Sequence, residues 1–495
     1  MLLKKDFNFN HLTFIKRAIC FCLQFYLNNM GADTIFKAIA DFGDRLLFFD
    51  VLFWTDKAQM PFLIFWLLAA SIYFSVITGF FNFRKLPKAL ILFVKGKKSI
   101  NKKEGTVSTK SIVLSATAGA TDLGSIFGVA GIVAVGGAGT IFWLIVAGFI
   151  STSIRYAEVL CGHKFRHKLV VKGESKGYTG GPQVYIKRIF RMYNLPKVGK
   201  IVAALYASML CLSTFCSLQI NQTVHIFTHT FPQTATYTWL LALLVATFVI
   251  FVVARGISSV AKFSQTAVPA MVLIYVIATI CVFVVNYKNI IPSLYLIFED
   301  AFSFRAVNGG ILGAMVLGVQ RAFFCNESGM GSGAIIHSKS SNKDSRQEAI
   351  ISMIAPIISV VIVCSCSGLI VLVSQSYKVG NDGMDYMLNA FTSTYWLFKY
   401  IILMIVPLFG VTTAVAWAYY GSSLFSSLFG QKRVFIYYIL LFIAYFLCGM
   451  AESFETILGV ADFLNLSITI PNVIALVMMS KIIIKATREG KKKNK

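Results

Sequence analysis

The sequence predicts an all-α polytopic membrane protein. Three observations lead there: too few charges for a soluble globule, apolar runs of membrane-spanning length, and basic residues confined to alternate connections. Apolar residues make up 57% of the 495 and charged residues 14%, with a mean hydropathy of +0.72. A soluble domain is about a quarter charged. The apolar runs 59–83, 237–253, 263–285, 350–373, 396–419, 434–448 and 468–484 mostly approach or exceed the ~20 helical residues that cross ~30 Å of hydrocarbon.

The formal net charge of +25 is distributed in a telling way. Lys and Arg gather in 84–110, 164–200, 255–262, 339–346, 432–433 and 481–495, while 225–237, 287–308, 376–395 and 450–455 are poor in them. Alternation of this kind follows the positive-inside rule and places the C-terminus in the cytoplasm. Lys491, Lys492 and Lys493 then read as an anchor near anionic lipid. No folded basic domain is left to bind nucleic acid, so that class of partner is excluded. The ten Cys are scattered, mostly inside apolar segments, and Cys364 and Cys366, two apart, face different sides of a helix. The six His form no metal-ligand motif, so no cofactor and no metalloenzyme chemistry are expected.

Along the chain, 1–58 is an N-terminal extension. Its pair Lys16-Arg17 precedes the short apolar run 18–27, which is either a signal-like segment or lies upstream of a start at Met30. Residues 59–111 supply one extra span and a basic loop. Two sets of five spans follow, 112–286 and 287–484, then a basic tail over 485–495, for about eleven spans in all. Each set opens on a helix that carries an acid among glycines: Thr121-Asp122-Leu123-Gly124-Ser125-Ile126-Phe127-Gly128 and Asn326-Glu327-Ser328-Gly329-Met330-Gly331-Ser332-Gly333. Five is odd, so matching helices cross in opposite directions, the arrangement of an inverted repeat. Glycine-interrupted spans at matching places point to a solute site at the bilayer midplane.

The residue types suit such a site. Breaking a helix frees N–H groups, which favour a carboxylate, and carbonyls, which coordinate Na⁺ or an ammonium group. Glycine allows the dihedrals and the close approach that the break needs. Asp122, Glu158, Arg321, Glu327 and Asp462 all lie in or beside apolar runs. A mid-membrane charge costs at least ~2.5–3.5 kcal/mol, so each needs a cavity, a partner or an ion. Asp122 and Glu327 fall within the breaks. Glu158, Arg321 and Asp462 are expected as structural intramembrane charges. Gly136-Gly137 suits tight helix packing as well as it suits a site.

With these residues in view, the chain resembles the alanine/glycine:cation symporter family over most of 60–480. The segment Gly318-Val319-Gln320-Arg321-Ala322-Phe323-Phe324-Cys325-Asn326-Glu327-Ser328-Gly329-Met330-Gly331-Ser332 is similar to the family signature G-x-x-R-G-x-F-S-N-E-A-G-M-G-S. Further likenesses are Gly136-Gly137-Ala138-Gly139-Thr140-Ile141-Phe142-Trp143, Gly180-Gly181-Pro182, Gln219-Ile220-Asn221, Trp417-Ala418-Tyr419-Tyr420-Gly421 and Pro471-Asn472. The resemblance implies a leucine-transporter-type fold, five-plus-five with broken first and sixth core helices and one extra helix in front. It also implies Na⁺-coupled (or H⁺-coupled) uptake of alanine or glycine across the plasma (inner) membrane, without an obligatory protein partner. The implied substrate site comprises Asp122, Gly124, Ser125, Gly128, Gln219, Asn326, Glu327, Gly329, Gly331 and Trp417, with Thr412 and Thr413 as Na⁺ ligands.

Departures from the family pattern fall on the first break, which usually reads G-T-G-N-I-A-G-V. Here Asp122 stands for a glycine, Leu123 for a threonine, Ser125 for an asparagine and Phe127 for an alanine. A carboxylate in the break binds a cation, admits proton coupling, or favours a more positively charged cargo, and a different small solute or a cationic amino acid is the alternative to alanine or glycine. An intramembrane enzyme is the rival class. It requires a nucleophile–base pair, and adjacent Glu327-Ser328 does not have the geometry of an activated serine.

Overall fold

The computed structural model describes residues 45, 47–51, 60–96, 100–101, 106–171, 174–303, 310–451 and 454–489. Most of the 1–58 extension, the choice between Met1 and Met30, and the end of the basic tail lie outside the described residues.

Helix α1 (Phe62–Ile77) is shorter than the apolar run 59–83. Gly79 and Phe80 are both left-handed (φ 66° and 55°), and α2 (Phe81–Lys95) departs at 83° from α1. The extra span therefore ends at the turn. α2, with Arg84, Lys85, Lys88 and Lys95 among apolar residues, is an amphipathic helix of the kind that lies at a membrane surface. Among the described residues, strands are confined to basic connections, where β1 (Ile100–Asn101) pairs with β2 (Thr106–Val107) and β3 (His167–Val171) with β4 (Glu174–Thr179).

The first broken segment is α3 (Thr109–Ala120), a 3-10 turn (Leu123–Ser125) and α4 (Phe127–Gly136). Ser108 caps α3 by accepting from the Ser111 N–H. α5 (Gly139–Lys164) returns through the membrane layer. α6 (Pro182–Met192) and α7 (Pro196–Ser213) each start on a proline, whose fixed φ suits the first helical position. α8 (Leu218–Thr230), α9 (Thr238–Val253), α10 (Ile257–Val285) and α11 (Ile290–Ala301) follow. The second broken segment is α12 (Gly310–Asn326) and α13 (Ser332–His337). After it come α14 (Ser345–Ser374), α15 (Gly383–Thr394), α16 (Phe398–Phe429), α17 (Val434–Met450), α18 (Phe454–Ser467), α19 (Thr469–Met478) and α20 (Ser480–Glu489). Just past Pro356, α14 widens to a π-helix over Ile357–Cys364.

Eight helices among the described residues are long and apolar enough to cross a membrane, and two bent pairs (α1 with α2, α3 with α4) bring ten. The expected eleven is reached only by counting the second broken segment as well, whose halves have 17 and 6 residues.

Small residues let the central helices touch. A Cβ on Gly318 of α12 would lie 2.4 Å from the Thr140 carbonyl oxygen of α5, and one on Gly162 of α5 would lie 2.7 Å from Ala334 Cβ of α13. This is the packing that membrane helices adopt when no water drives them together. Gly136-Gly137 belongs to the same category. Gly137 takes φ 81° at the end of α4, and the Gly139 N–H donates to Asp300 Oδ2 at 2.8 Å, which makes this a turn against α11. α9 stays peripheral, with Leu240, Leu244, Phe248 and Phe251 exposed on a face suited to lipid.

Candidate functional site

The two breaks meet at the centre of the bundle, and each is held by a protein carboxylate. In the first, α3 stops at Ala120 and the chain bends by 68°. Asp122 is extended (φ −92°, ψ 175°), and its Oδ1 accepts from the Ser125 N–H at 2.9 Å and the Ser125 hydroxyl at 3.0 Å. The Leu123 N–H donates to Gln219 Oε1 on α8 at 3.1 Å. Arg321 of α12 donates from Nε to the Gly124 carbonyl at 3.0 Å. Its guanidinium fills a cradle left by two glycines. A Cβ on Gly124 would lie 2.0 Å, and one on Gly128 1.9 Å, from Arg321 Nη2. Arg321 thus braces the first break from the helix that carries the second.

In the second break Glu327 is left-handed (φ 54°), an uncommon conformation for a residue with a side chain, beside Gly329 (φ 99°) and Gly331 (φ 83°). Glu158 of α5 reaches across. Its Oε1 accepts from the Gly329 N–H and the Gly331 N–H, both at 2.9 Å, and from Asn472 Nδ2 at 2.8 Å. Arg155, fully buried one turn earlier, donates to the Asn326 carbonyl at 2.6 Å and stands 4.0 Å from Glu158 Oε2. A cation thus lies on the carbonyl end of α12 and an anion on the amide end of α13, each matched to its helix dipole. Tyr206 donates to the Met330 carbonyl at 2.7 Å, and Tyr185 donates to Asn472 Oδ1.

A cavity of about 80 Å³ lies between the breaks. Of the ten expected substrate residues, Asp122, Gln219, Glu327 and Trp417 line it. Gly124, Ser125, Gly128, Asn326, Gly329 and Gly331 do not, because they shape the breaks behind its wall. Asn326 is spent on Ser151 (2.7 Å), the Ser328 N–H (2.7 Å) and Arg155. Asp462, expected as a structural charge, lines the cavity. The α7–α8 kink (Ser213, Thr214, Cys216, Ser217), Phe324, Met330 and Tyr445 contribute to the remaining wall, with Gly119, Leu218, Ala414, Ala461 and Asn465. Among the described residues, Asp122, Glu327 and Asp462 are its only carboxylates, and no Lys, Arg or His lines it. Glu327 Oε2 accepts from Ser332 at 2.5 Å, whereas the buried Oε1 takes no hydrogen bond from the described residues.

The two threonines part company. The Thr413 hydroxyl lies 2.9 Å from the Ala118 carbonyl and 3.1 Å from that of Thr121, a cluster of oxygens at the open end of α3. Thr412 instead bonds back to Leu408 (2.8 Å) and Phe409 (2.9 Å) on its own helix and faces Met271. It is not brought to the break, a correction to its expected ligand role. Trp417 donates to the Gly119 carbonyl at 3.3 Å. Four of the freed amides, those of Leu123, Ser125, Gly329 and Gly331, already donate to Gln219, Asp122 and Glu158, which the backbone reasoning from sequence did not anticipate.

A larger cavity, about 1070 Å³, lies among β3, α6, the start of α10 and the end of α16. Lys187, Arg188, Arg191 and Arg255 line it, but no residue of either break does, so the smaller cavity is the candidate site. At its edge Lys339 donates to the Tyr178 carbonyl at 2.6 Å, and burial pulls its ammonium down to about 8.

Residues 48–495 match the model of a family described as the sodium:alanine symporter family. The sodium/alanine symporter AgcS of Methanococcus maripaludis is 27% identical over 433 residues, covering 86% of this chain and 94% of that protein. A probable sodium/glutamine symporter, GlnT of Bacillus subtilis, is 25% identical over 447 residues, covering 89% and 90%. The crystal structure of MhsT in complex with L-phenylalanine superposes with a TM-score of 0.53 at 13% identity, over 76% of this chain and 95% of that one, a likeness of fold alone.

Proposed function

The chain belongs to the sodium:alanine symporter family, and from that membership we propose that it is a secondary active transporter that uses an inward cation gradient to accumulate a small amino acid such as alanine or glycine. The observation that carries the reading is the convergence of two broken helices on one small cavity whose charged side chains, among the described residues, are all carboxylates. The carboxylates suit the cargo ammonium, and Trp417, Phe324 and Tyr445 give a short side chain an apolar wall. Thr413 Oγ1 with the Ala118 and Thr121 carbonyls offers hard oxygens for Na⁺ beside the cavity. H⁺ is the alternative coupling ion. Alternating access would move the helices around this fixed site. The basic connections support a cytoplasmic C-terminus and residence in the cell (inner) membrane. As for the rival enzymatic reading, no group of three or more metal-ligating side chains occurs among the described residues to support hydrolysis at a metal.

The deciding experiment is uptake of radiolabelled alanine and glycine into proteoliposomes under an inward Na⁺ gradient, an inward H⁺ gradient, or neither. Accumulation that collapses with the gradient supports the proposal and names the ion. Equal, gradient-independent equilibration of both solutes would sink it.

A further inference from the structure

We propose that the larger cavity, on the face that carries the basic connections, binds a phosphate-bearing anion: the headgroup of an anionic lipid or a soluble phosphate. It shares no lining residue with the cavity between the breaks, and the proposal does not depend on the transport reading.

Cations dominate this cavity of about 1070 Å³, and no Asp or Glu lines it among the described residues. α6 brings Lys187, Arg188 and Arg191, which are exposed and fall within about one helical turn. Like charges at that spacing repel one another and weaken a helix. Lys164 at the end of α5 and Arg255 before α10 add two more. None of these five has an ion-pair partner among the described residues, and the Arg255 guanidinium rests 3.8 Å from the centre of the Phe251 ring. Arg166 and Lys339, which also line the cavity, are spent on carbonyls. Arg166 donates to those of Ser338 (3.0 Å) and Asn342 (2.7 Å), and Lys339 to that of Tyr178. The positive-inside rule accounts for basic residues on this face, but not for their gathering in one concavity. Arg84, Lys85, Lys88 and Lys95 of α2 obey the same rule and line no part of it.

Neutral donors gather there too. Gly256 leads into α10 with φ 77°, no side chain caps that helix, and no acid lies in its first turn. The Ser259 and Val260 amides turn back to the Gly256 carbonyl, while those of Ile257 and Ser258 have no acceptor among the described residues. Gly256, Ile257 and Ser258 all line the cavity, so the positive end of a 29-residue helix opens on it. The end of α16 contributes Ser422, Ser423, Ser426 and Ser427. Ser422 is bonded to the Tyr419 carbonyl (2.9 Å) and Ser426 to Gln431 (2.7 Å), which leaves Ser423 and Ser427 as donors without an acceptor among the described residues. Gln183, only 1% exposed, lines the cavity as well, and its Oε1 takes no hydrogen bond from the described residues. A phosphate answers all of these groups. Its charged oxygens accept from guanidinium, ammonium, amide and hydroxyl, and a protonated phosphate oxygen or a headgroup hydroxyl donates to Gln183. A simple carboxylate has no proton to give Gln183.

Binding of radiolabelled phosphatidylglycerol, phosphatidylcholine and inorganic phosphate to the full-length protein, immobilised in neutral detergent, tests this. Replacing Lys187, Arg188 and Arg191 together by Gln alters exposed side chains only. It is expected to weaken the anion by roughly 100-fold, at about fivefold per charge. Replacing Lys85, Lys88 and Lys95 of α2 by Gln removes the same charge from elsewhere and is expected to weaken it by less than about threefold, because distant exposed charges are screened. Ser423→Ala with Ser427→Ala leaves every charge in place and is expected to weaken it by about tenfold, which general attraction to a basic surface would not give. Saturable binding of phosphatidylglycerol in excess of phosphatidylcholine supports the site and identifies a lipid headgroup. Saturable binding of inorganic phosphate supports it and identifies a soluble anion. Equal binding of the two lipids with no saturable binding of phosphate would overturn the proposal, as would equal losses in the two triple variants.

Discussion

Glu158→Ala is expected to be among the most destabilising single changes in the bundle. Truncation leaves three buried donors, the amides of Gly329 and Gly331 and the Asn472 side chain, without their acceptor. It also leaves Arg155, fully buried, without the carboxylate 4.0 Å away. At that separation and an effective dielectric of about 20, the lost attraction is about 4 kcal/mol. Each orphaned donor adds about 1–3 kcal/mol, and because the groups relax together the terms do not simply sum. Breaking a buried pair by removing one partner is worth about 3–5 kcal/mol, a fair expectation for the whole. Glu158→Gln keeps an acceptor oxygen and loses only the charge, so it should fall between wild type and alanine. Thermal unfolding in detergent, followed by the loss of the monodisperse chromatographic peak, ranks the three. Glutamine as damaging as alanine would mean that the charge, not the hydrogen bonding, holds the break. Alanine within about 1 kcal/mol of wild type would refute the clamp altogether.

Four further changes test other parts of the account. Glu327→Gln should cut uptake by at least about tenfold with the protein still folded, and wild-type transport by that variant would remove Glu327 from the site. Thr413→Val should raise the Na⁺ concentration for half-maximal uptake by about tenfold, and Thr412→Val should shift it little; equal effects would undo the distinction between them. Gly318→Ala places a methyl group 2.4 Å from the Thr140 carbonyl oxygen and should destabilise by about 1–3 kcal/mol, whereas Gly131→Ala meets nothing within 4 Å and serves as its control. Lys339 has a folded-state value of about 8, below the 10.5 of the free side chain. The unfolded chain therefore binds more protons between those values, and stability from this residue should rise with pH across that window and be lowest below it. The advantage of wild type over Lys339→Met should grow over the same range, and a flat difference would count against it.

The membrane class, most spans and both breaks were legible because they are written in local signals: apolar run length, basic punctuation, and an acid among glycines. What closes the breaks was not. Glu158 stands 171 residues from Gly329 and 314 from Asn472, and Arg155 carries no signature beyond its charge. Nor could sequence choose between Thr412 and Thr413. Neighbours on a helix point about 100° apart, and the phase of α16 is set by what packs around it. The α7–α8 kink that walls the cavity contains neither proline nor glycine at Thr214, Phe215, Cys216 or Ser217, so nothing local announces it. Asp122 shows the limit most clearly. Its departure from the family pattern was visible, but its capping of Ser125 and its place in the cavity wall needed three dimensions.

The Glu158 clamp also has a consequence for how the chain is made. Arg155 and Glu158 emerge on α5 and lie on one face, three residues apart, long before any of their final partners exists. At about 5–20 residues per second, roughly 15–60 s pass between synthesis of Glu158 and synthesis of Asn472. Until Asn326, Gly329 and Gly331 are made, about half-way through that interval, the nascent helix holds two charges at membrane depth with only each other for company. The helix that carries Asn472 thus completes a circuit opened by an early one, and a chain truncated before it leaves Glu158 Oε1 short of one of its three donors.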